Sequence, residues 1–236
     1  MRRSFILPVL LVALLSVVGC ANQKSWVYSP NSYGAPTLQR DQRVAVLPFT
    51  DERPNTNKNM ILMYLLPIPA HGWVTYDVPE GAAMHVNSSL WVNYKPTEDY
   101  PKALAEELSR SGIFEEAFFD YKKGTSDLYV KGTILNTRYN ATMISYGLSV
   151  YGPLLWIVGL PVGTVHNDLS LQMTCADSTT NEVLFTKVYS APHYRKMSWL
   201  YKLADEFNYP VMLQGIYKDF MGDLVTALAA KPTPEH

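Results

Sequence analysis

The sequence has few cysteines and lacks the short motifs that mark catalytic and metal sites. Its 236 residues include two cysteines, Cys20 and Cys175. The phosphate-binding Gly-Lys-Ser loop, the His-Glu-x-x-His and Cys-x-x-Cys pairs and the Gly-x-Ser-x-Gly elbow are all absent. The histidines before the carboxyl-terminal tail stand singly, without the close spacing of a local metal site: His71, His85, His166 and His193. We therefore expect no enzyme activity, no metal and no cofactor.

Charged residues are also scarce, and neither sign dominates. They make up 17% of the chain, and the formal net charge is −1. Proteins that bind nucleic acid through its phosphates carry a clustered basic surface. The sequence has no such cluster, so we expect no nucleic-acid partner.

The first nineteen residues have the layout of an export signal. Arg2 and Arg3 are their only charged residues, and an apolar run from Phe5 to Val18 follows. Such a run is too short for an ordinary spanning helix and ends in small residues, as cleaved signals do. We therefore predict export from the cytoplasm.

The end of this signal, Val17-Val18-Gly19-Cys20, resembles the bacterial lipobox. The resemblance implies cleavage between Gly19 and Cys20 and lipid attachment to Cys20, which anchors the chain in a membrane. Families retained in the inner membrane usually carry Asp after the cysteine, and this chain has Ala21. The resemblance thus implies the periplasmic face of the outer membrane. The alternative is a signal without lipidation, in which Cys20 is incidental.

The remaining chain divides into a tether, a domain and a tail. Residues 20–42 are polar and rich in turn formers, which predicts an irregular tether. Their lack of helical or strand periodicity supports this interpretation. The predicted segments are the signal 1–19, the lipidated tether 20–42, one domain 43–230 with insertions at about 55–96 and 139–166, and the tail 231–236.

Hydrophobic patterning in the domain predicts strands and helices in mixed order. Val44 to Phe49 is apolar on both faces, which indicates an interior strand. A helix is predicted from Thr97 or Asp99 to Gly112, and another from Asn208 onwards. Further strands are predicted at 113–119, 127–137, 169–175 and 183–189. The fold class is therefore α/β (α+β), a mixed sheet of about five strands with two or three helices packed on it.

Three of these segments resemble a small α/β domain found in several outer-membrane lipoproteins. They are Val44-Ala-Val-Leu-Pro-Phe49, Leu108-Ser-Arg-Ser-Gly-Ile-Phe114 and Asp127-Leu-Tyr-Val-Lys-Gly-Thr133. The group includes the curli-secretion and penicillin-binding-protein-activator lipoproteins and the amino-terminal domain of the Tol-Pal propeller protein. Ser126 replaces the usual Ala, and the loop before the first helix is longer. The resemblance implies a fold and leaves the function open.

The two insertions carry the most distinctive sequence. Met60 to Ala70 is apolar and leads into Tyr76, and Ile144 to Val162 has no charged residue. Five glycines and prolines in the second run argue against a spanning helix, because they leave backbone groups unsatisfied in lipid. Three interpretations remain: the insertions pack on each other and extend the core, dip into the bilayer, or contact another subunit.

We predict a non-enzymatic envelope lipoprotein that acts as an accessory or assembly factor through protein contacts at the outer membrane. The membrane is one partner, through the lipid, and an envelope protein or a second copy of the chain is the other. Aromatic residues of the insertions with polar tips suit such an interface: Trp73, Tyr76, Tyr151 and Trp156. The alternative is an oligomeric, membrane-contacting component of an export apparatus.

Overall fold

A computed structural model describes residues 26–36, 38–80, 94–201 and 208–230. The predicted signal, its cleavage position at Gly19, the lipidated Cys20 and the tail 231–236 lie outside the described residues. No helix within the described ranges combines the length and the hydropathy needed to cross a bilayer.

The described residues form eleven strands and three helices, which confirms the predicted mixed α/β class. The strands are β1 Arg40–Val46, β2 Thr50–Asp51, β3 Lys58–Met60, β4 His71–Tyr76, β5 Phe114–Phe119, β6 Leu128–Asn136, β7 Tyr139–Ile144, β8 Pro161–Asn167, β9 Ser170–Asp177, β10 Val183–Ser190 and β11 Tyr194–Trp199. The helices are α1 Pro96–Ser111, α2 Gly152–Ile157 and α3 Tyr209–Ala230, and short 3-10 turns cover Ile61–Leu65 and Ser149–Tyr151.

The first sheet has the strand order β10-β9-β6-β1-β5, with β2 pairing to β6 beyond the end of β1. β1 is parallel to both β5 and β6. Its residues Val44 to Val46 are fully buried, as the doubly apolar pattern predicts. Proline lacks the N–H that a central ladder requires, and Pro48 falls in the gap between β1 and β2.

Two helices pack against this first sheet. α1 ends at Gly112, which adopts the left-handed φ of 66° that favours glycine, as the sequence predicts. α3 lies beside α1 and β10 and presents fully buried Leu213, Tyr217 and Phe220. Cys175 is fully buried on β9 in the same core.

A second, five-stranded sheet has the order β11-β8-β7-β4-β3 and is antiparallel throughout. The sequence pattern predicted one sheet, so this second sheet is an addition to the expected fold. The first insertion supplies β3 and β4, and the second supplies β7 and most of β8. Because β4 pairs directly with β7, the two insertions do pack on each other and extend the core.

Three pairs of consecutive strands, β6–β7, β8–β9 and β10–β11, cross from one sheet into the other. We call the short connections between the two strands of each pair, together, the bend. The paired positions keep one order through the bend: Leu128 with Asp177, Asn136 with Ser170, Tyr139 with Asn167, and Met143 with Gly163. Thus β6–β7 and β8–β9 form a single hairpin, and β10–β11 continues beside it in the same way. Residues 145–160 are therefore the closing end of a hairpin that starts in the first sheet.

The predicted tether is shorter than residues 20–42. Trp26 lies against Tyr94 and Tyr100, with 5.6 Å between ring centroids in each pair. Tyr28 and Tyr33 both donate hydrogen bonds to the Glu107 carboxyl on α1. The polar composition of this segment concealed its aromatic residues, which bury their rings against the helices while their hydroxyls reach an acceptor. Residues 26–36 are consequently part of the domain.

Candidate functional site

An apolar end closes the second sheet on the side away from the bend. Three segments meet there, and we call them together the apolar end: residues 60–70, 145–160 and 199–201. The rings of Tyr64 and Trp156 lie 6.1 Å apart, which joins the first two segments. The Tyr201 hydroxyl donates to the Ile157 carbonyl oxygen at 3.0 Å, which joins the third.

The apolar end exposes large hydrophobic side chains and carries no Asp, Glu, Lys, Arg or His. Ile68 is 88% exposed and Val158 is 72% exposed. The other exposed members are Met60, Leu62, Leu66, Leu148, Val150, Tyr151, Leu154, Ile157, Trp199 and Tyr201. Scattered exposed hydrophobic residues are normal, whereas contiguous ones mark a contact surface. The structure thus identifies this end as the candidate functional site.

Backbone conformations that L residues adopt rarely are concentrated in the same loops. Ala70, Tyr146 and Ser149 have positive φ angles of 64°, 58° and 51°. Each left-handed residue with a Cβ costs about 1–2 kcal/mol, and such strain persists where the surrounding structure imposes it. The turns of the apolar end are therefore fixed in shape by their packing.

The structure separates the four residues predicted for an interaction face. Tyr151 is exposed on the apolar end, and Trp73 is half-buried on the outer face of β4. Tyr76 is buried and stacks on Tyr139, because alternation along β4 turns it towards the core. Trp156 is also buried, and its indole N–H donates to the Ile144 carbonyl oxygen at 2.9 Å. The prediction is corrected for Tyr76 and Trp156, which support the end from inside.

The exposed aliphatic residues of the apolar end were missed by a search for aromatic residues with polar tips. Leu62, Leu154 and Ile157 stand among neighbours that are similarly apolar but less exposed or also exposed, so the local pattern does not single them out. The available signal was the uncharged run itself, which extends through both insertions. Trp199 and Tyr201 belong to neither insertion, and only the pairing of β11 with β8 places them beside the other two segments.

Glycines allow the backbones to approach closely at the base of the apolar end. A Cβ on Gly72 would lie 1.8 Å from the Ile61 carbonyl oxygen, and one on Gly163 would lie 1.7 Å from that of Thr142. Real Cβ atoms do not approach a backbone oxygen so closely. Any side chain at these positions would push the strand away from its neighbour.

We expect Gly163→Ala to destabilise the protein by on the order of 2–3 kcal/mol, because the methyl group overpacks a rigid backbone contact. Urea unfolding followed by circular dichroism measures this loss. Gly222→Ala is the matched control, because nothing lies within 4 Å of its Cβ position on α3 and alanine favours a helix. Equal stability of the two variants would contradict the close approach.

Ionic groups gather at the bend, on the side opposite the apolar end. The Arg53 guanidinium is buried and donates to Asp51, Glu80 and Thr137. Its hydrogen bonds hold the pKa of Asp51 below the ordinary value. These groups saturate one another in ion pairs and hydrogen bonds, which is the arrangement of a structural network.

A second polar cluster at the bend brings together two histidines that the sequence shows as isolated. His166 and His193 both contact Asp168, with nitrogen-to-oxygen distances of 2.9 Å and 2.6 Å. His71 lies elsewhere, at the start of β4. His85 is outside the described residues.

No family model matches the chain, and no curated protein sequence matches it. Solved structures with a similar arrangement include protein XCC0632 from Xanthomonas campestris, of family DUF330, with a TM-score of 0.43 and 11% identity over 87% of this chain and 95% of that one. Protein CT253 from Chlamydia trachomatis has a TM-score of 0.40 and 8% identity, over 81% of this chain and 100% of that one. Lipoprotein GNA1162 from Neisseria meningitidis has a TM-score of 0.26 and 13% identity, over 80% of this chain and 99% of that one.

Proposed function

We propose that this chain is a non-enzymatic, lipid-anchored protein of the cell envelope whose apolar end enters the membrane surface. The observation that carries the proposal is the exposed, uncharged apolar end of the second sheet. The lipobox at Cys20 supports the lipid anchor, and Ala21 supports the outer membrane as its location. The absence of catalytic motifs from the sequence supports a role through contact.

The composition of the apolar end favours a bilayer over a protein as its occupant. Protein interfaces combine apolar centres with polar rims and are enriched in Arg, whereas this end lacks charge altogether. Each aliphatic side chain transferred out of water contributes about 1.5–3 kcal/mol. Tyr151, Trp199 and Tyr201 add rings with polar tips, which suit the boundary between headgroups and acyl chains.

Several backbone N–H groups of the apolar end are hydrogen-bonded within the loops, which suits an environment without water. Unsatisfied N–H groups are costly in lipid. The N–H groups of Leu66, Leu148, Tyr151, Gly159 and Leu160 all donate within their own loops. Pro67, Pro69 and Pro153 have no N–H to satisfy. The loops can therefore enter the interfacial region without losing hydrogen bonds at these positions.

The lipid anchor and the apolar end can reach the same bilayer. Trp26 lies beside Tyr94, which stacks on Tyr209, and the Tyr209 hydroxyl donates to the Thr137 carbonyl oxygen at the bend. The chain therefore joins the fold near the base of the second sheet. The six residues from Cys20 to Ser25 span at most about 20 Å. The six-residue strands of the second sheet cover about the same distance.

Two points of attachment would fix the orientation of the domain on the membrane. The lipid alone is a single point of attachment, whereas the apolar end adds a second contact at the far side of the second sheet. The first sheet and its helices then remain available to an envelope protein. This geometry supports the accessory role that we propose.

A flotation experiment tests the proposal with the lipid-free mature chain that begins at Ala21. We expect it to float with vesicles of phosphatidylethanolamine and phosphatidylglycerol. Binding should persist at high salt, because no charged residue of the apolar end takes part. A chain that stays at the bottom of the gradient would refute membrane entry. A stable oligomer in buffer that does not float with vesicles would instead indicate that the apolar end contacts protein.

A further inference from the structure

His166, Asp168 and His193 converge at the bend between the two sheets. His166 Nε2 lies 2.9 Å from Asp168 Oδ1, and His193 Nδ1 lies 2.6 Å from the same oxygen. One ligand atom from each residue lies within 4.8 Å of the other two. The two imidazole rings have centroids 5.3 Å apart. From this geometry we infer a binding site for a divalent transition metal of the zinc class.

The strand register builds this cluster from distant parts of the sequence. His166 is on the outer face of β8, and Asp168 follows that strand at the bend. Tyr194, the first residue of β11, lies opposite Asn167, so His193 is beside Asp168. The Asp168 N–H donates to the Arg138 carbonyl oxygen at 2.8 Å, which fixes the backbone that presents the carboxylate.

The ligand set is one that zinc accepts. Two imidazoles and a carboxylate, with a water completing a tetrahedron, are a common arrangement around Zn²⁺. Imidazole nitrogens select Zn²⁺, Cu²⁺ and Ni²⁺ over Mg²⁺ and Ca²⁺, which prefer oxygen. Bonds of about 2.0–2.1 Å place neighbouring ligand atoms roughly 3.3 Å apart. The two nitrogen-to-oxygen contacts must therefore lengthen by roughly half an ångström, and the 79% exposed His193 side chain has room to make this adjustment.

Neighbouring charges make the carboxylate essential to the site. Arg195 lies opposite His166 in the β8–β11 ladder and Asn140 lies opposite it on β7. Arg138 contacts Asp77 through its side chain. A cation at the cluster would thus meet a positive neighbour, and Asp168 supplies the compensating negative charge among the three ligands.

A bound ion would tie together the two chain segments that cross the bend. His166 and Asp168 belong to the β8–β9 passage, and His193 belongs to the β10–β11 passage. A ligand that binds only the folded state stabilises it by RT ln(1 + L/Kd), where L is the free ligand concentration. A metal ion bound here would therefore stabilise the fold, because it would fix the angle between the two sheets.

Calorimetric titration of the untagged mature chain with Zn²⁺ after chelator treatment tests the inference. We expect one Zn²⁺ per chain, a higher melting temperature with Zn²⁺ and no binding of Mg²⁺. His166→Gln and His193→Gln should each weaken Zn²⁺ binding at least about tenfold, since each removes a nitrogen ligand. His71→Gln is the control, because His71 is exposed on β4 outside the cluster.

Two results would overturn the site. One is the absence of saturable Zn²⁺ binding by the wild-type chain. The other is an equal loss of affinity in His71→Gln and His193→Gln, which would indicate nonspecific binding by surface histidines. His193 is largely exposed, so its substitution leaves the fold intact, as circular dichroism of the variant would verify. Co²⁺ as a substitute ion should give the visible absorption of a tetrahedral site in the wild type and lose it in His193→Gln.

Discussion

Leu154→Asp combined with Ile157→Asp is expected to reduce vesicle binding of the lipid-free mature chain by on the order of 100-fold. Both side chains are more than half exposed on α2 at the apolar end. Losing two aliphatic contacts with the bilayer removes about 3 kcal/mol or more, and every 1.4 kcal/mol is about tenfold in affinity. The new carboxylates add a desolvation cost. Flotation with vesicles at a series of lipid concentrations measures the change.

Val183→Asp is the matched control for this double variant. Val183 is similarly exposed but opens β10 in the first sheet, opposite Ala176 and far from the apolar end. It introduces the same acid at an apolar surface position, so we expect unchanged vesicle binding. A double variant that binds vesicles as tightly as Val183→Asp would exclude the apolar end as the membrane contact. Unfolding temperatures of both variants separate a loss of contact from a loss of fold.

Glu107→Leu is expected to destabilise the protein by on the order of 3 kcal/mol and to release the segment 26–36. Glu107 on α1 is fully buried. Its carboxyl accepts hydrogen bonds from the Tyr28 and Tyr33 hydroxyls and from the backbone and side-chain nitrogens of Asn31. Leucine fills a similar volume but accepts none, and each buried unsatisfied donor costs about 1–3 kcal/mol. Burial and contact with Glu107 also raise the pKa of Tyr28 and of Tyr33.

Urea unfolding and limited proteolysis measure the two parts of this expectation. In Glu107→Leu, cleavage between residues 26 and 36 should become rapid while the rest of the domain stays resistant. Glu106→Leu is the control, because Glu106 is an exposed neighbour whose contact is the surface pair with Arg110. Surface pairs of this kind contribute little. Unchanged proteolysis in Glu107→Leu would show that other contacts hold the segment in place.

The parts of the fold that were predicted have strong local signals. Val44 to Val46 is apolar on both faces, and β1 is buried on both faces. Gly112 ends α1 because a left-handed residue is needed there. The runs 169–175 and 183–189, both predicted as strands, form β9 and β10, which pair with each other. In each case the residues that determine the structure lie within a few positions of one another.

The second sheet and both clusters depend on contacts between distant residues, and the local pattern does not contain them. β4 has small and polar residues among its apolar ones, and it becomes a strand through its pairing with β7. His166 and His193 meet because β8 and β11 align in one register. Residues 26–36 contact the helices through Glu107, a single acidic residue in the middle of an ordinary amphipathic helix.

Three pairs of consecutive strands, each joined by only two or three residues, couple the two sheets mechanically. β6–β7, β8–β9 and β10–β11 cross from one sheet to the other with their pairing order kept. A force applied at residues 145–160 passes through two covalent segments, β7 to β6 and β8 to β9, into the first sheet, and the pairing of β8 with β11 transmits it to β10, against which α3 packs. The two halves cannot swing freely as domains on a linker do. Tilting the apolar end therefore also tilts the first sheet and its helices. The depth to which the apolar end enters the membrane then determines the direction in which the helices face.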